Sequence, residues 1–327
     1  MPAENRHARR IAGLPWRFGA PRADNVMTRA SFLQSRPAPV LAVVLGIALF
    51  SGMDAAIKGA SLMVGVYAAL LVRNLIGLAM IAPIWLAGSR RWPTPAVLRL
   101  HVLRSSVNAA MMLLFFVGIV RLPIAEGIAI SFIAPLIALY LAAVILGETI
   151  RRRAIVASLL GIAGVGVIVA DRLGTATAGD DTLIGLAAII ASAVLYAVNL
   201  VLQRKLALLA DPIEVTLFQN LVISCLLALA APWLAVAPSL PALVLITLGA
   251  ALATSALALL AWGYARAETQ VLVPIEYTAF LWAALFGWVF FDEPVGAATL
   301  AGTVLIVLGC WIGTRDPDRA RTEQTAV

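Results

Sequence analysis

Apolar residues run through this chain in long unbroken blocks separated by short polar breaks. The blocks fall at 40–59, 63–87, 105–122, 127–146, 154–171, 183–203, 213–236, 242–265, 270–291 and 295–314. Runs of about 20 apolar residues have the length of a membrane-crossing helix, whereas barrel strands show ~10-residue alternating segments. The pattern therefore predicts an all-α integral membrane protein with ten transmembrane helices. The connections are short, which predicts a compact bundle without a large soluble domain. Flanking it are a polar, arginine-rich tail over residues 1–38, read as disordered, and a short tail over 315–327. No apolar core precedes Pro39, so the tail is not a signal peptide. Met1 and Met27 are both candidate starts.

Composition agrees with the pattern. Hydrophobic residues make up 62% of the 327 positions and charged ones 13%, against about 25% charged in a soluble domain. Charge adds orientation, because Lys and Arg favour the cytoplasmic side of short loops. With the N-terminus inside, 20 of the 24 basic residues fall on cytoplasmic segments, among them Arg90, Arg91, Arg99, Arg104, Arg151 to Arg153, Arg204, Lys205 and Arg266. Lys58, Arg121 and Arg172 fall toward the outside, and Arg73 sits within a span. An even number of spans returns the C-terminus to the cytoplasm. The expected location is the plasma membrane, which in a bacterium is the inner membrane. The net charge of +7 is accounted for by these anchors, with no folded basic face for a nucleic acid.

Sliding the chain by 145 residues brings its halves into register. GIVRLPIAEGIAISFIAPLIALYLAAVILGE from Gly118 then faces GYARAETQVLVPIEYTAFLWAALFGWVFFDE from Gly263. Gly118 meets Gly263, Arg121 meets Arg266, Ala134 meets Ala279, Glu148 meets Glu293 and Gly164 meets Gly309. The predicted units are residues 39–172 and 183–314, with five helices each. An odd number of spans places the second half upside down relative to the first. The basic GETIRRR turn and its acidic counterpart FDEPVG agree with that inversion. Inverted repeats are a recurring plan of secondary transporters, with the site at the midplane between halves.

Two five-helix repeats, each closing on a GE or DE turn before a glycine-rich last span, resemble the drug/metabolite transporter superfamily of EamA type. The resemblance covers roughly residues 40–314. It implies a ten-span carrier of small organic solutes such as amino-acid derivatives, vitamins or drugs, with both termini in the cytoplasm and no cofactor. Substrate, direction, coupling ion and oligomeric state stay open.

Ionisable residues within spans are expensive and point to pairing or function. Asp54 and Lys58 stand one helical turn apart on one face, and the 145-residue shift sets them on Asn199 and Gln203. Lys58 is near enough to the helix end to snorkel to water; Asp54 lies a turn deeper. Arg73 occupies the middle of span two, where it either clips to Asp54 or offers its guanidinium to a substrate carboxylate or phosphate. Arg73 and Asn74 match Gln219 and Asn220 at an offset of 146. Glu276 in VPIEYTAF has no charged counterpart, since Ser131 takes its place. A lone carboxylate at that depth suits proton or cation coupling, because burial favours its neutral form. The substrate-binding candidates are thus Arg73, Asp54, Asn74, Asn199, Gln203, Gln219, Asn220 and Tyr277, and the coupling candidates are Glu276 and Asp54. Pro135 and Pro274 interrupt backbone hydrogen bonding in the fourth and ninth spans. Gly161, Gly164, Gly166, Gly302 and Gly309 read as close helix packing.

The leading function is secondary-active transport of a small organic metabolite by alternating access, with proton coupling open. No GxxxxGK[ST] phosphate-binding loop occurs. The rival readings are a carboxylate-dependent intramembrane enzyme and a lipid scramblase or membrane scaffold. No span carries a histidine, and Cys225 and Cys310 lie in apolar runs, so no metal site is expected.

Overall fold

A computed structural model of the protein describes residues 37–88, 92–146, 152–174, 179–264, 266, 272 and 275–314. The tail assigned to 1–38 therefore lies almost wholly outside the described residues, as do Arg90, Arg91, the GETIR stretch 147–151, Pro274 and the tail after 314.

The described chain is a bundle of helices in the order α1 Pro37–Val64, α2 Val66–Ala87, α3 Pro95–Arg121, α4 Ile124–Ser131, α5 Ala134–Leu146, α6 Arg152–Gly174, α7 Asp180–Ala207, α8 Pro212–Leu234, α9 Leu240–Tyr264, α10 Ala279–Phe291 and α11 Ala297–Thr314. Seven are long and apolar enough to cross a membrane, and 124–138, 279–291 and 297–312 are shorter apolar stretches.

Two start signals fix where helices begin. Thr94 caps α3, its Oγ1 accepting from Val97 N at 3.5 Å, and Pro95 fills the first position. Asp211 caps α8 by accepting from Ile213 N and Glu214 N at 2.9 and 3.1 Å, again with proline following. Both combine an oxygen acceptor for orphan N–H groups with a residue that has no N–H to satisfy. The start at Pro95 corrects the expected third span, which began at 105. His101 and Arg104 are thereby buried inside α3, at 0% and 5% exposure, rather than in a loop.

The fourth span is also corrected. It is two helices, α4 and α5, parted by a turn at Phe132 and Ile133, and the ninth span breaks at Tyr277 and Thr278. These positions are 145 apart, the same shift that aligns the halves. Pro135 falls in the first turn of α5, where a missing N–H costs little, so it follows the break rather than kinking a continuous helix.

Packing has an exchange symmetry. α1 packs on α9 as α7 packs on α3; α5 lies on α7 as α10 lies on α1; α3 meets α8 as α9 meets α2. The pairs α2 with α8 and α6 with α11 each join equivalent helices of the two halves.

Helices α6 and α11 meet backbone to backbone. A Cβ on Gly164 would stand 2.5 Å from Gly302 O, one on Gly302 2.6 Å from Gly164 O, and one on Gly309 2.5 Å from Ala157 O. Small residues allow such an approach in lipid, where packing and not hydrophobicity drives association. Gly166 differs from the expectation, since a side chain there would meet nothing within 4 Å. Gly302→Val is expected to push the two helices apart at a cost of about 1–3 kcal/mol, read as a lowered melting temperature of the detergent-solubilised protein. Gly166→Val should leave it unchanged.

Candidate functional site

At the end of the bundle where α1, α3, α6 and α10 finish, four charged side chains form a closed cluster. Lys58 is 3% exposed. Its Nζ donates to Leu122 O at 2.9 Å and pairs with the Glu293 carboxylate. The other Glu293 oxygen accepts from Ile124 N at 2.9 Å. Glu126, also 3% exposed, takes two bonds from Arg172, with Nε to Oε2 at 2.6 Å, and one from Thr299 Oγ1 at 3.3 Å. Two cations offset two anions, and each of the four carboxylate oxygens accepts at least one hydrogen bond, the condition under which buried charge is tolerated. Lys58 therefore does not snorkel to water, which corrects that expectation.

The α10 terminus explains how Glu293 arrives there. Asp292 takes the left-handed conformation, φ 52° and ψ 37°, and Glu293 N donates back to Gly287 O at 3.1 Å. This helix ending folds the next residue over the last turn. Gly287 clears the space, because a Cβ there would lie 2.9 Å from Glu293 Oε2. Beneath the cluster, buried Ala55, Ile124 and Ala283 pack with Ile128, Phe286 and Phe291, an apolar layer drawn from both halves.

Deeper in, Asp54 and Arg73 face one another across α1 and α2, near enough for their charges to interact. They form no ion pair among the described residues. Arg73 instead directs Nη1 to Met112 Sδ at 3.2 Å, and it is half-buried. Asn74 donates to Leu70 O at 2.7 Å, with Met112 Sδ at 4.0 Å. Asn199 is buried on α7, and its Oδ1 has no partner. A thioether is a weak acceptor, so the guanidinium is left with most of its donors unspent.

The break in span nine carries Glu276 and Tyr277. Tyr264 OH donates to Glu276 Oε1, and Tyr196 is close enough to feel that carboxylate's charge. Glu276 is exposed as well as hydrogen-bonded. Tyr277 packs edge-on against Phe132 of the other break, centroids 5.3 Å apart, so the two discontinuities touch. Cys310 donates to Phe132 O at 3.2 Å.

Toward the opposite end, Arg104 donates to Gln203 Oε1 at 3.2 Å, and His101 Nε2 lies 2.9 Å from Glu214 Oε1 with its ring stacked on Phe218. Asn220 donates to Thr216 O at 2.9 Å, and its Oδ1 lies 2.7 Å from where a Gly77 Cβ would stand. It packs α8 on α2. Gln219 is half-buried beside it.

The structure thus gathers Arg73 and Asn74 at Met112 with Asp54 facing Arg73, sets Glu276 and Tyr277 on a second element, and keeps Asn199 and Gln203 one turn apart on α7. Three residues outside the candidate set belong to these clusters: Glu126, Arg172 and Arg104. Charge balance was the available signal, since Lys58 and Arg172 at one end need two carboxylates nearby.

Comparison with known proteins places this arrangement. Residues 37–170 and 183–314 match the EamA-like transporter family. The pseudopaline exporter CntI of Pseudomonas aeruginosa, in strains UCBPP-PA14 and PAO1, is 26% identical over 277 residues, covering 83% of this chain and 94% of that protein. A crystal structure described only as that of a protein superposes with a TM-score of 0.56 at 22% identity, over 88% of this chain and 99% of the other, a likeness of fold.

Proposed function

The chain belongs to the EamA-like transporter family, a multi-pass carrier and not an enzyme, and from that premise we propose that it exchanges a small organic solute by alternating access between two inverted five-helix repeats. It moves a small solute across a membrane; the repeats 39–172 and 183–314, the site and the coupling are our reading. The observation that carries it is the exchange symmetry of packing, in which every contact between unlike helices named above has its counterpart in the other half. Such a bundle has two equivalent ways to close, one at each end.

The state seen here is closed at the end holding Lys58, Glu126, Arg172 and Glu293. Counting basic residues puts that end outside and both termini in the cytoplasm. Arg73 and Asp54, beside Asn74, hold the solute, with Asn199, Gln203, Gln219, Asn220 and Tyr277 assigned to the remainder of the path. An underused guanidinium beside a carboxylate suits a carboxylate-bearing zwitterion such as an amino-acid derivative. The exporters among its relatives favour outward movement.

The experiment is uptake and efflux in proteoliposomes across a panel of amino-acid derivatives, with and without an imposed pH gradient. Solute flux that saturates supports the reading; lipid scrambling without solute flux overturns it. Glu276, held by Tyr264 at the break, is assigned the coupling proton, with Asp54 as its partner. Glu276→Gln is expected to keep exchange of solute for solute while abolishing the acceleration by a pH gradient. An unchanged response in that variant would remove Glu276 from coupling.

A further inference from the structure

The inward stripe of α3 changes character along its length. Met112, Phe116 and Ile119 are apolar, whereas His101, Arg104, Ser105 and Asn108 on the same buried face are polar. Placing an arginine and three further polar side chains in a packed helix face is costly in a membrane unless they have partners. His101 has one in Glu214. Arg104 does not. It is 5% exposed, its one bond goes to the neutral Gln203, and Nε and Nη1 are buried without an acceptor. Among the described residues no carboxylate pairs with it.

The surroundings are neutral and polar. Asn108 lies one turn along α3 from Arg104. Asn199 and Gln203 lie one turn apart on the facing α7, and Asn199 is 4% exposed with an unbonded amide oxygen. Swapping the amide's O and N positions would present Nδ2 as a donor at that buried position instead. Ser105 adds a hydroxyl that is buried without a partner. A fixed cation with two unbonded donor nitrogens, amides and a hydroxyl on its own and the facing helix, and no carboxylate paired with it among the described residues is a complementary site for a planar or tetrahedral oxyanion.

The geometry points to a second oxyanion-binding subsite at Arg104, for a carboxylate or phosphate of the transported solute. It rests on the carrier reading above and deepens it. Arg73 is level with Met112, and Arg104 lies eight residues from Met112 along α3, about 12 Å at 1.5 Å per residue. The cargo class is accordingly an organic solute with more than one acidic group. Arg73 takes one oxyanion at mid-depth, and Arg104 takes another nearer the end that holds Glu214.

The test measures binding and so does not depend on transport. Citrate and inorganic phosphate are titrated onto the purified full chain in phosphatidylcholine nanodiscs, against chloride at equal ionic strength. Arg104→Gln is expected to weaken citrate binding by about tenfold or more, the loss of charge-assisted bonds, while Arg73→Ala keeps phosphate binding at Arg104. Gln203→Glu places a carboxylate beside the guanidinium. It is expected to raise the melting temperature and abolish phosphate binding together, which a merely structural arginine would not do. Citrate and phosphate binding unchanged in Arg104→Gln overturns the subsite, and so does a Gln203→Glu protein that gains stability yet binds phosphate as before. Adding phosphatidylglycerol to the nanodiscs separates the two sources of oxyanion. If its headgroup displaces citrate from the Arg104 site, the occupant is lipid and the proposal fails. Absence of solute flux in proteoliposomes with these binding results intact would refute the carrier reading alone.

Discussion

Lys58→Ala will unlatch the end of the bundle at which α1 and α10 meet, and Glu293→Gln will do the same. Lys58 reaches Glu293, which in turn holds Ile124 N, so the pair ties α1 and α4 of one half to the α10 terminus of the other. Its side chains are 4% and 15% exposed, so little water screens it. Removing one partner of a buried pair strands the other and costs about 3–5 kcal/mol. A two-state carrier poised within a few kcal/mol then moves most of its population to the state open at this end. The reporter is Ala55→Cys, in the apolar layer just beneath the cluster, with Cys225 and Cys310 replaced. Membrane-impermeant thiol reagents should modify it at least tenfold faster in Lys58→Ala than in the parent. The double reversal Lys58→Glu with Glu293→Lys should slow modification again. Equal rates in the parent and both single variants would dismiss the ion pair as a latch.

The second large effect is a separation of function from stability at Arg73. Its one bond is to the sulfur of Met112, so alanine removes a charge that the fold scarcely uses. A substrate carboxylate held by two charge-assisted bonds, each worth about 1.5–3 kcal/mol, would lose at least a hundredfold in transport. The melting temperature should hold or rise. A permanent clip to Asp54 predicts the opposite, with Asp54 stranded at 9% exposure and stability falling. Transport and melting of Arg73→Ala, measured side by side, decide between them; full transport would take Arg73 out of the site.

Much of the architecture was legible because lipid simplifies the code. Apolar runs mark helices directly, and the 145-residue shift that aligned Ala134 with Ala279 also aligned breaks that no run length revealed. Polar residues were legible where they interrupt a run, as Asp54, Lys58 and Arg73 do. They were hidden at run ends. Glu126 stood one residue before its expected span, and Arg104 one residue before the third. Counting arginines by side treats each terminal one as a water-facing anchor, but the capping pair Thr94 and Pro95 starts α3 ten residues earlier and carries Arg104 into the interior. The Asp54–Arg73 clip was a matter of side-chain direction, which spacing does not determine.

Lys58 has a further consequence through its counterpart. In a duplicated carrier the two closures are related by the repeat, yet the residue answering Lys58 is the uncharged Gln203. One closure is fastened by an ion pair and the other has no ammonium at the corresponding place. On the proposed cycle, halves that share a shape would differ in the depth of their energy wells, and the empty protein would wait with its mouth toward the Glu214 end. A carrier that rests on one side of its cycle has a fixed loading dock, and its kinetics are lopsided before any gradient acts on it.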